Sequence, residues 1–163
     1  MTSEVLRYSE EYGRRYAVYG KNGTSPRARW AFSKRLTRLE SLFPNDEQEQ
    51  EHLELFDHEI REVLDSDLYC APVSLSGGKV LDIGTGTGNW AINIGDADPT
   101  CVVIGVNISI IQPTWVPPNV SFEIFDVEAQ WEWSEDLRFR FIFGRQLASS
   151  IIDWSQLIRQ CHE

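Results

Sequence analysis

Cysteine is scarce in this chain of 163 residues, which has Cys70, Cys101 and Cys161 but no Cys-x-x-Cys pair and no Cys/His cluster. Neither a disulfide framework nor a metal site is therefore predicted. No apolar run approaches the roughly 18 residues of a membrane span, and residues 1–7 lack the apolar segment of a signal peptide. We therefore expect a soluble protein of a reducing compartment, in the cytoplasm or the nucleus.

Positive charge is also scarce, because 15 Lys and Arg residues face 25 Asp and Glu residues, for a formal net charge of −10. A general nucleic-acid binder and an electrostatic membrane binder both need a basic surface, so we expect neither nucleic acid nor membrane as a partner. The composition is otherwise that of a folded protein, with 42% hydrophobic residues, six Trp and eight Phe. The length corresponds to about one domain with its own core.

The charge divides the chain into three predicted segments. Residues 1–43 carry a net charge of +5 and are expected to form a helical, partly disordered extension. Residues 44–78 are expected to form an acidic helix and a linker, with a net charge of −9 over 44–70. Residues 79–163 form the remaining domain. A basic helix is predicted over residues 28–42, and its charge indicates a solvated face or, alternatively, contact with an acidic partner or nucleic acid.

The acidic helix has a recognisable start. Asn45 can cap it, and the acidic residues that follow complement the positive end of the helix dipole. Apolar residues then recur at helical spacing over 53–64, and the helix is expected to end near 65–66. His52 and His58 are six residues apart and do not share a face as metal ligands would, so both are predicted to be solvated surface residues.

The pattern after residue 78 is typical of an open α/β sheet. Short apolar strands are predicted over 79–83, 102–106, 120–125 and 139–143, and helices over 89–94 and 150–160. A strand followed at once by glycines and a helix is the arrangement of nucleotide-binding α/β folds.

The loop after the first of these strands carries the chemistry. Gly84, Gly86 and Gly88 permit positive φ and close approach of a ligand, and the following helix offers free N–H groups at its start. Asn89 stands where the dinucleotide fingerprint G-x-G-x-x-G requires its third glycine, and no P-loop Lys follows. The Asp82 carboxylate can accept hydrogen bonds from the loop and face an ammonium. The pattern favours a nucleoside that bears an amino acid over a pyrophosphate.

The segment Asp82-Ile-Gly-Thr-Gly-Thr-Gly88 resembles motif I of the class I S-adenosylmethionine-dependent methyltransferases. Further strings are similar to the fungal LaeA-like methyltransferases: Gly13-Arg-Arg-Tyr16, Phe43-Pro-Asn-Asp-Glu-Gln-Glu-Gln50, Leu68-Tyr69 with Ala71-Pro72, Gln112-Pro-Thr-Trp-Val-Pro-Pro-Asn-Val120, and Gly144-Arg145. The resemblance implies a Rossmann-like class I methyltransferase sheet with strand order 3-2-1-4-5-7-6. The chain is expected to supply only its first four strands, in the order 3-2-1-4, as a partial methyltransferase domain over 79–163. The fourth strand would then be an exposed edge.

The resemblance also implies roles for residues around S-adenosyl-L-methionine. Asp82 and the glycine loop would frame the methionine part, Asn107 would meet the ribose, and Asp126 with Val127 would lie by the adenine. Gly144 and Arg145 would line the methyl-transfer side, although Arg145 could equally be an ordinary ion-pairing residue. The loop positions implied in cofactor binding are Gly84, Thr85, Gly86, Thr87 and Gly88. Trp90 and Trp115 could flank the loop, but packing is the favoured interpretation for both.

The chain departs from the family pattern at four places. Asn107 stands where the family usually has an acid at the end of the second strand, and Arg140 stands where it usually has an acid in the fourth strand. The stretch 23–40 looks inserted. The chain is expected to stop short of the strands that supply much of the acceptor site. No catalytic residue can be named. Two functions remain open: methyl transfer to a small metabolite or a protein, or a non-catalytic, truncated regulatory protein. The second would bind the cofactor and a partner such as a velvet-type regulator, or associate with itself through the sheet edge. An NAD-binding domain is disfavoured by Asn89.

Overall fold

The computed structural model describes residues 8–19, 39–131 and 138–162. These residues form two sheets and three helices. The elements in chain order are β1 Tyr8–Glu11, β2 Arg14–Tyr19, β3 Leu39–Pro44, α1 Glu47–Val63, β4 Lys79–Ile83, α2 Asn89–Ala97, β5 Val102–Asn107, β6 Val120–Ile124, β7 Phe141–Gly144 and α3 Trp154–His162.

The larger sheet is parallel and has the strand order β6-β5-β4-β7, which confirms the order expected from the family resemblance. β4 pairs with β5 from Lys79 opposite Val102 to Ile83 opposite Val106, and with β7 on its other side. Each connection between consecutive strands of this sheet contains a dozen or more residues, which is the length that parallel pairing requires. The carboxyl ends of all four strands therefore meet at one edge of the sheet.

The sheet is buried between two apolar layers. Val80, Trp90 and Val103 belong to the cluster on the side of α2, and Leu81, Ile104 and Leu157 belong to the cluster on the side of α3. A strand that is covered on both faces has no solvent-facing side, so its sequence does not alternate between apolar and polar residues. This is why β4 is mostly apolar. Within the described residues, β7 pairs with β4 alone and is one of the two edge strands, with β6 at the other edge.

The prediction of a helical amino-terminal extension is wrong for the part that the structure describes. β1, β2 and β3 form an antiparallel sheet instead, and the last residues of the helix predicted over 28–42 lie in strand β3. Tyr12 and Gly13 take φ values of 52° and 76° at the hairpin turn, the left-handed values that tight hairpins need. The strands contain three Tyr, one Phe and one Val, and aromatic and β-branched residues favour a pleated surface. The described ranges exclude residues 1–7 and residues 20–38, and the latter contain most of the inserted stretch 23–40. The disorder predicted for this part of the chain therefore stays a prediction.

The cap of α1 is Asp46 rather than the predicted Asn45. Asp46 Oδ1 accepts from the Glu49 amide at 3.0 Å, and Arg14 Nε donates to Asp46 Oδ2 at 2.6 Å. The Arg14 guanidinium holds the pKa of Asp46 well below its usual range. Asn45 is buried and accepts from Arg15 instead. The hairpin therefore decides which residue caps the helix.

α1 ends at Val63, close to the predicted end. No helix in the described ranges has the length and apolarity to cross a bilayer.

Candidate functional site

The glycine loop connects β4 to α2 at the carboxyl edge of the sheet. Gly84 and Thr85 donate their amides to the Val106 carbonyl at 2.9 and 3.0 Å, so the loop is anchored on β5. Gln112 Nε2 donates to the Gly86 carbonyl at 2.6 Å from the other side. Gly86 has a φ of 57°, a left-handed conformation that a side chain would strain. The loop is therefore held in one shape by contacts with residues distant in sequence.

Asp82, at the end of β4, is a buried carboxylate that points its charge at this loop. Thr85 Oγ1 donates to Asp82 Oδ2 at 2.6 Å, which is the loop contact expected from the sequence. Burial raises the pKa of Asp82 to about 7, although the Thr85 hydrogen bond and the Arg145 charge oppose the shift. A buried carboxylate with one neutral donor gains most from a bound cation.

Polar groups also follow β5 and β6. Asn107 Nδ2 donates to the Ser109 hydroxyl at 3.1 Å and to the Ser109 carbonyl at 3.3 Å, so Asn107 Oδ1 is the acceptor that remains for a ligand. Asp126 Oδ1 accepts from the Glu128 amide at 3.0 Å, and burial raises the pKa of Asp126. Val127 follows it along the same wall.

A cavity of about 300 Å³ lies over the carboxyl ends of the strands. This volume is at the lower end of the range for small-molecule sites. Of the residues implicated by the sequence, the structure places nine on its wall: Asp82, Gly84, Thr85, Gly86, Thr87, Asn107, Asp126, Val127 and Arg145. Gly88 and Gly144 do not line it. A methyl group at Gly88 would lie 2.4 Å from Phe122, and one at Gly144 would lie 2.7 Å from Leu147. Glycine at these two positions therefore leaves room for the neighbouring Phe122 and Leu147 side chains to pack against the backbone.

Arg145 forms an ion pair with Asp57 of α1 while it also lines the cavity. The two residues are 88 positions apart in sequence, and the Asp57 side chain is only 9% exposed. The ion pair is thus present, while a role of Arg145 towards a ligand stays a prediction. The positive charge of Arg145 also acts on Asp82. It opposes, but does not cancel, the rise in the pKa of Asp82 that burial causes.

The wall opposite the sheet is the part that sequence reasoning missed. Glu49, His52, Leu53 and Asp57 of α1 all line the cavity. Their spacing of three, four and eight residues places them on one helical face, and that spacing is the signal that could have found them. His52 and His58 are both exposed, as predicted, but His52 also borders the cavity.

Trp90 packs in the core and stacks on Phe143 with ring centroids 3.8 Å apart. Its indole N–H donates to the Leu68 carbonyl at 2.6 Å, and Trp90 also lines the cavity. Trp115 is 93% exposed and is not part of the cavity wall. Packing, the favoured interpretation, is confirmed for Trp90, whereas Trp115 neither packs nor flanks the loop.

The comparisons with known proteins agree with this geometry. A family model described as a methyltransferase domain matches residues 56–163, which is more than half of the chain. The chain belongs to this methyltransferase family. Methyltransferase pytC of Aspergillus terreus is 40% identical over 163 residues, which cover 99% of this chain and 44% of pytC. The secondary metabolism regulator laeA of Aspergillus flavus is 33% identical over 162 residues, which cover 98% of this chain and 38% of laeA.

A solved structure supports the fold of this methyltransferase domain. The complex of the Haloferax volcanii Trm112 methyltransferase activator with a methyltransferase aligns with a TM-score of 0.58 at 15% identity, over 72% of this chain and 51% of that chain. At such low identity the likeness concerns the fold alone. The fungal relatives confirm the LaeA-like class expected from the motifs. The chain spans less than half the length of those two relatives.

Proposed function

We propose that this methyltransferase domain binds S-adenosyl-L-methionine and serves methyl transfer to a small metabolite or a protein. The observation that carries the proposal is the convergence of Asp82, Asn107 and Asp126, from the ends of three adjacent strands, on one cavity. A buried carboxylate, an amide oxygen and a second carboxylate match an ammonium, a ribose and an adenine in that order. Membership of the methyltransferase family supports the same ligand.

Each group has one task in this proposal. Asp82 would accept from the ammonium, Asn107 Oδ1 from a ribose hydroxyl, and Asp126 from the adenine amino group. The activated methyl group is the chemistry that the bound cofactor supplies, so the protein contributes alignment and exclusion of water. The ion pair of Arg145 with Asp57 holds α1 against the carboxyl edge of the sheet, where it covers the loop.

Thermal unfolding tests the proposal directly. At a concentration one hundred times the Kd, a ligand stabilises a protein by about 2.7 kcal/mol. For a chain of this size, that corresponds to a rise in Tm of about 5–10 °C. We expect this rise with S-adenosylmethionine and S-adenosylhomocysteine but not with NAD. Stabilisation by NAD alone would contradict the proposal.

Replacing Asn107 by Asp is expected to tighten cofactor binding about tenfold. A carboxylate offers two charge-assisted acceptors for the ribose hydroxyls, worth on the order of 1–2 kcal/mol more than one amide oxygen. The Ser109 hydroxyl, which now accepts from Asn107, can turn and donate to the new carboxylate. Calorimetric titration of Asn107→Asp measures the gain, and Asn107→Ala is the control that should weaken binding. An unchanged Kd in both variants would rule out contact of residue 107 with the ligand.

A non-catalytic regulatory function is the second candidate. It is favoured by the relative that is named as a secondary metabolism regulator. In this case the domain would bind the cofactor and a partner such as a velvet-type regulator, or a second copy through the β7 edge, in the cytoplasm or nucleus. Turnover of labelled S-adenosylmethionine in fungal extract, measured with and without the added chain, separates the two functions, because only an active enzyme increases the transfer of label.

A further inference from the structure

Helix α1 brings an imidazole and a carboxylate together at the rim of the cavity. Glu49 and His52 both line it, and His52 Nδ1 lies 3.5 Å from Glu49 Oε1. Arg14 Nη2 lies 3.3 Å from the other oxygen of Glu49, so β2 holds this carboxylate from its far side. Because an ionised carboxylate only accepts, His52 donates from Nδ1 and keeps a lone pair on Nε2. The carboxylate thus orients the ring through Nδ1 and leaves Nε2 free to accept a proton, which is the arrangement of an oriented general base.

The same turn of α1 lies against the glycine loop. A methyl group at Gly86 would be 3.7 Å from Leu53 Cδ1, an ordinary van der Waals contact. One turn further on, the ion pair of Asp57 with Arg145 fastens the helix to the loop after β7. His52 is thereby held next to the segment along which the methionine part of the cofactor is proposed to lie. The His52 side chain is 64% exposed, which allows exchange of a proton with water.

Asn45 provides a second, independent sign of a ligand at this rim. Its Oδ1 accepts from Arg15 Nε at 3.2 Å, and because Arg15 can only donate, the Asn45 amide must face it with oxygen. Nδ2 is then left buried, without a hydrogen-bond partner in the described part of the chain. Asn45 lines the cavity together with Phe43 and Pro44. An oxygen of a bound molecule would satisfy this N–H if the Asn45 side chain turned it towards the cavity.

We propose that His52 is the general base of methyl transfer and that the acceptor is a phenolic or enolic hydroxyl. The inference rests on the proposed binding of S-adenosylmethionine. The hydroxyl oxygen attacks the methyl carbon, so that a C–O bond forms while the C–S bond breaks and its electron pair stays on sulfur as a neutral thioether. The hydroxyl proton moves to His52 Nε2, and the imidazolium then returns it to water. The products are a methyl ether, S-adenosylhomocysteine and a proton.

The acceptor class follows from the base and from its surroundings. A phenol with a pKa near 10 is protonated at neutral pH, yet an imidazole can take its proton as the oxygen attacks. A carboxylate or thioether acceptor has no proton to lose and would leave His52 without a task. Phe43, Pro44 and Leu53 offer apolar surface beside the base for a flat ring, and the Asn45 amide can serve a neighbouring oxygen.

Histidine titration by nuclear magnetic resonance tests this placement without an acceptor. The chain carrying isotope-labelled His is titrated between about pH 5 and 8.5 with saturating S-adenosylmethionine, and again with saturating S-adenosylhomocysteine. The two ligands differ in charge only at the sulfonium. A unit charge about 6–7 Å away lowers a histidine pKa by roughly half to one unit at the rim of a protein. His52 should therefore titrate lower with S-adenosylmethionine, and His52→Gln assigns its signal.

His58 is the matched control, because it lies six residues along the same helix, is exposed and does not line the cavity. Its pKa should be the same with both ligands. If the amides of Gly84 and Gly86 respond to both ligands while the His52 pKa does not distinguish them, His52 is not beside the methyl group and the inference is overturned. If those amides do not respond at all, the proposed cofactor binding itself fails, and the inference fails with it.

Discussion

Replacing Asp82 by Asn should stabilise the protein at neutral pH while it abolishes tight cofactor binding. The pKa of Asp82 is raised from 3.8 to about 7 because burial disfavours the charged form. The folded state therefore holds a proton that the unfolded state releases, and the free energy of unfolding falls as pH rises from about 4 to 7. Three pKa units correspond to about 4 kcal/mol as an upper value. Asn does not incur this cost.

The stability effect of Asp82→Asn has a defined pH window. The Tm of the variant should exceed that of the parent by about 5–10 °C above pH 7, and the difference should vanish near pH 4. Asp96→Asn is the matched control, since it removes the same charge from an exposed position on α2. A stability difference that does not change with pH would contradict a buried, titrating Asp82.

The binding effect of the same variant has the opposite sign. An ammonium favours the ionised carboxylate, and loss of a charged hydrogen bond of about 2–3 kcal/mol weakens binding roughly 30- to 100-fold. In the parent, affinity for S-adenosylhomocysteine should fall towards tenfold per pH unit below about 7, because the carboxyl group must first lose its proton. Calorimetry across this range should show the slope in the parent and none in Asp82→Asn. Equal affinities would exclude Asp82 from the site.

Replacing Gly88 by Ala should strongly destabilise the domain, whereas Ala at Gly86 should mainly weaken ligand binding. A methyl group at Gly88 would lie 2.4 Å from Phe122 Cζ, and one at Gly105 would lie 2.6 Å from Phe122 Cδ1. The Phe122 ring therefore packs against both glycines, and it must shift if either of them gains a side chain. Gly88 also has a φ of 87°. Overpacking and left-handed strain together cost about 2–5 kcal/mol, which lowers Tm by roughly 5–15 °C.

Gly86→Ala is the matched variant for this comparison. Its φ of 57° brings a similar backbone cost of about 1–2 kcal/mol, but its nearest neighbour, Leu53, lies at an ordinary 3.7 Å. The new methyl group would instead stand on the wall of the cavity and hinder the ligand. We therefore expect a small loss in Tm and a large loss in cofactor-induced stabilisation. Equal Tm losses for the two variants would show that the Phe122 contact carries no weight.

Local sequence was sufficient where the signal was local. The predicted strand over 79–83 coincides with β4, and the predicted strands and helices that follow differ from β5, β6, β7, α2 and α3 by a few residues. Each of these elements has its own apolar run or period, bounded by glycine or proline. The helical prediction for residues 28–42 was wrong at strand β3 because pairing with β2 outweighs helix propensity there.

The sequence by itself determined the individual strands of the larger sheet, the glycine loop and the polar residues at the strand ends, because these depend on neighbours within a few positions. Only the tertiary structure decided how α1 closes the site. The pairing of Asp57 with Arg145, the choice of Asp46 over Asn45 as cap and the position of His52 at the rim all depend on segments that meet from distant parts of the chain. The same holds for the contrast between Gly86 and Gly88, since only packing shows which glycine faces the cavity and which faces Phe122.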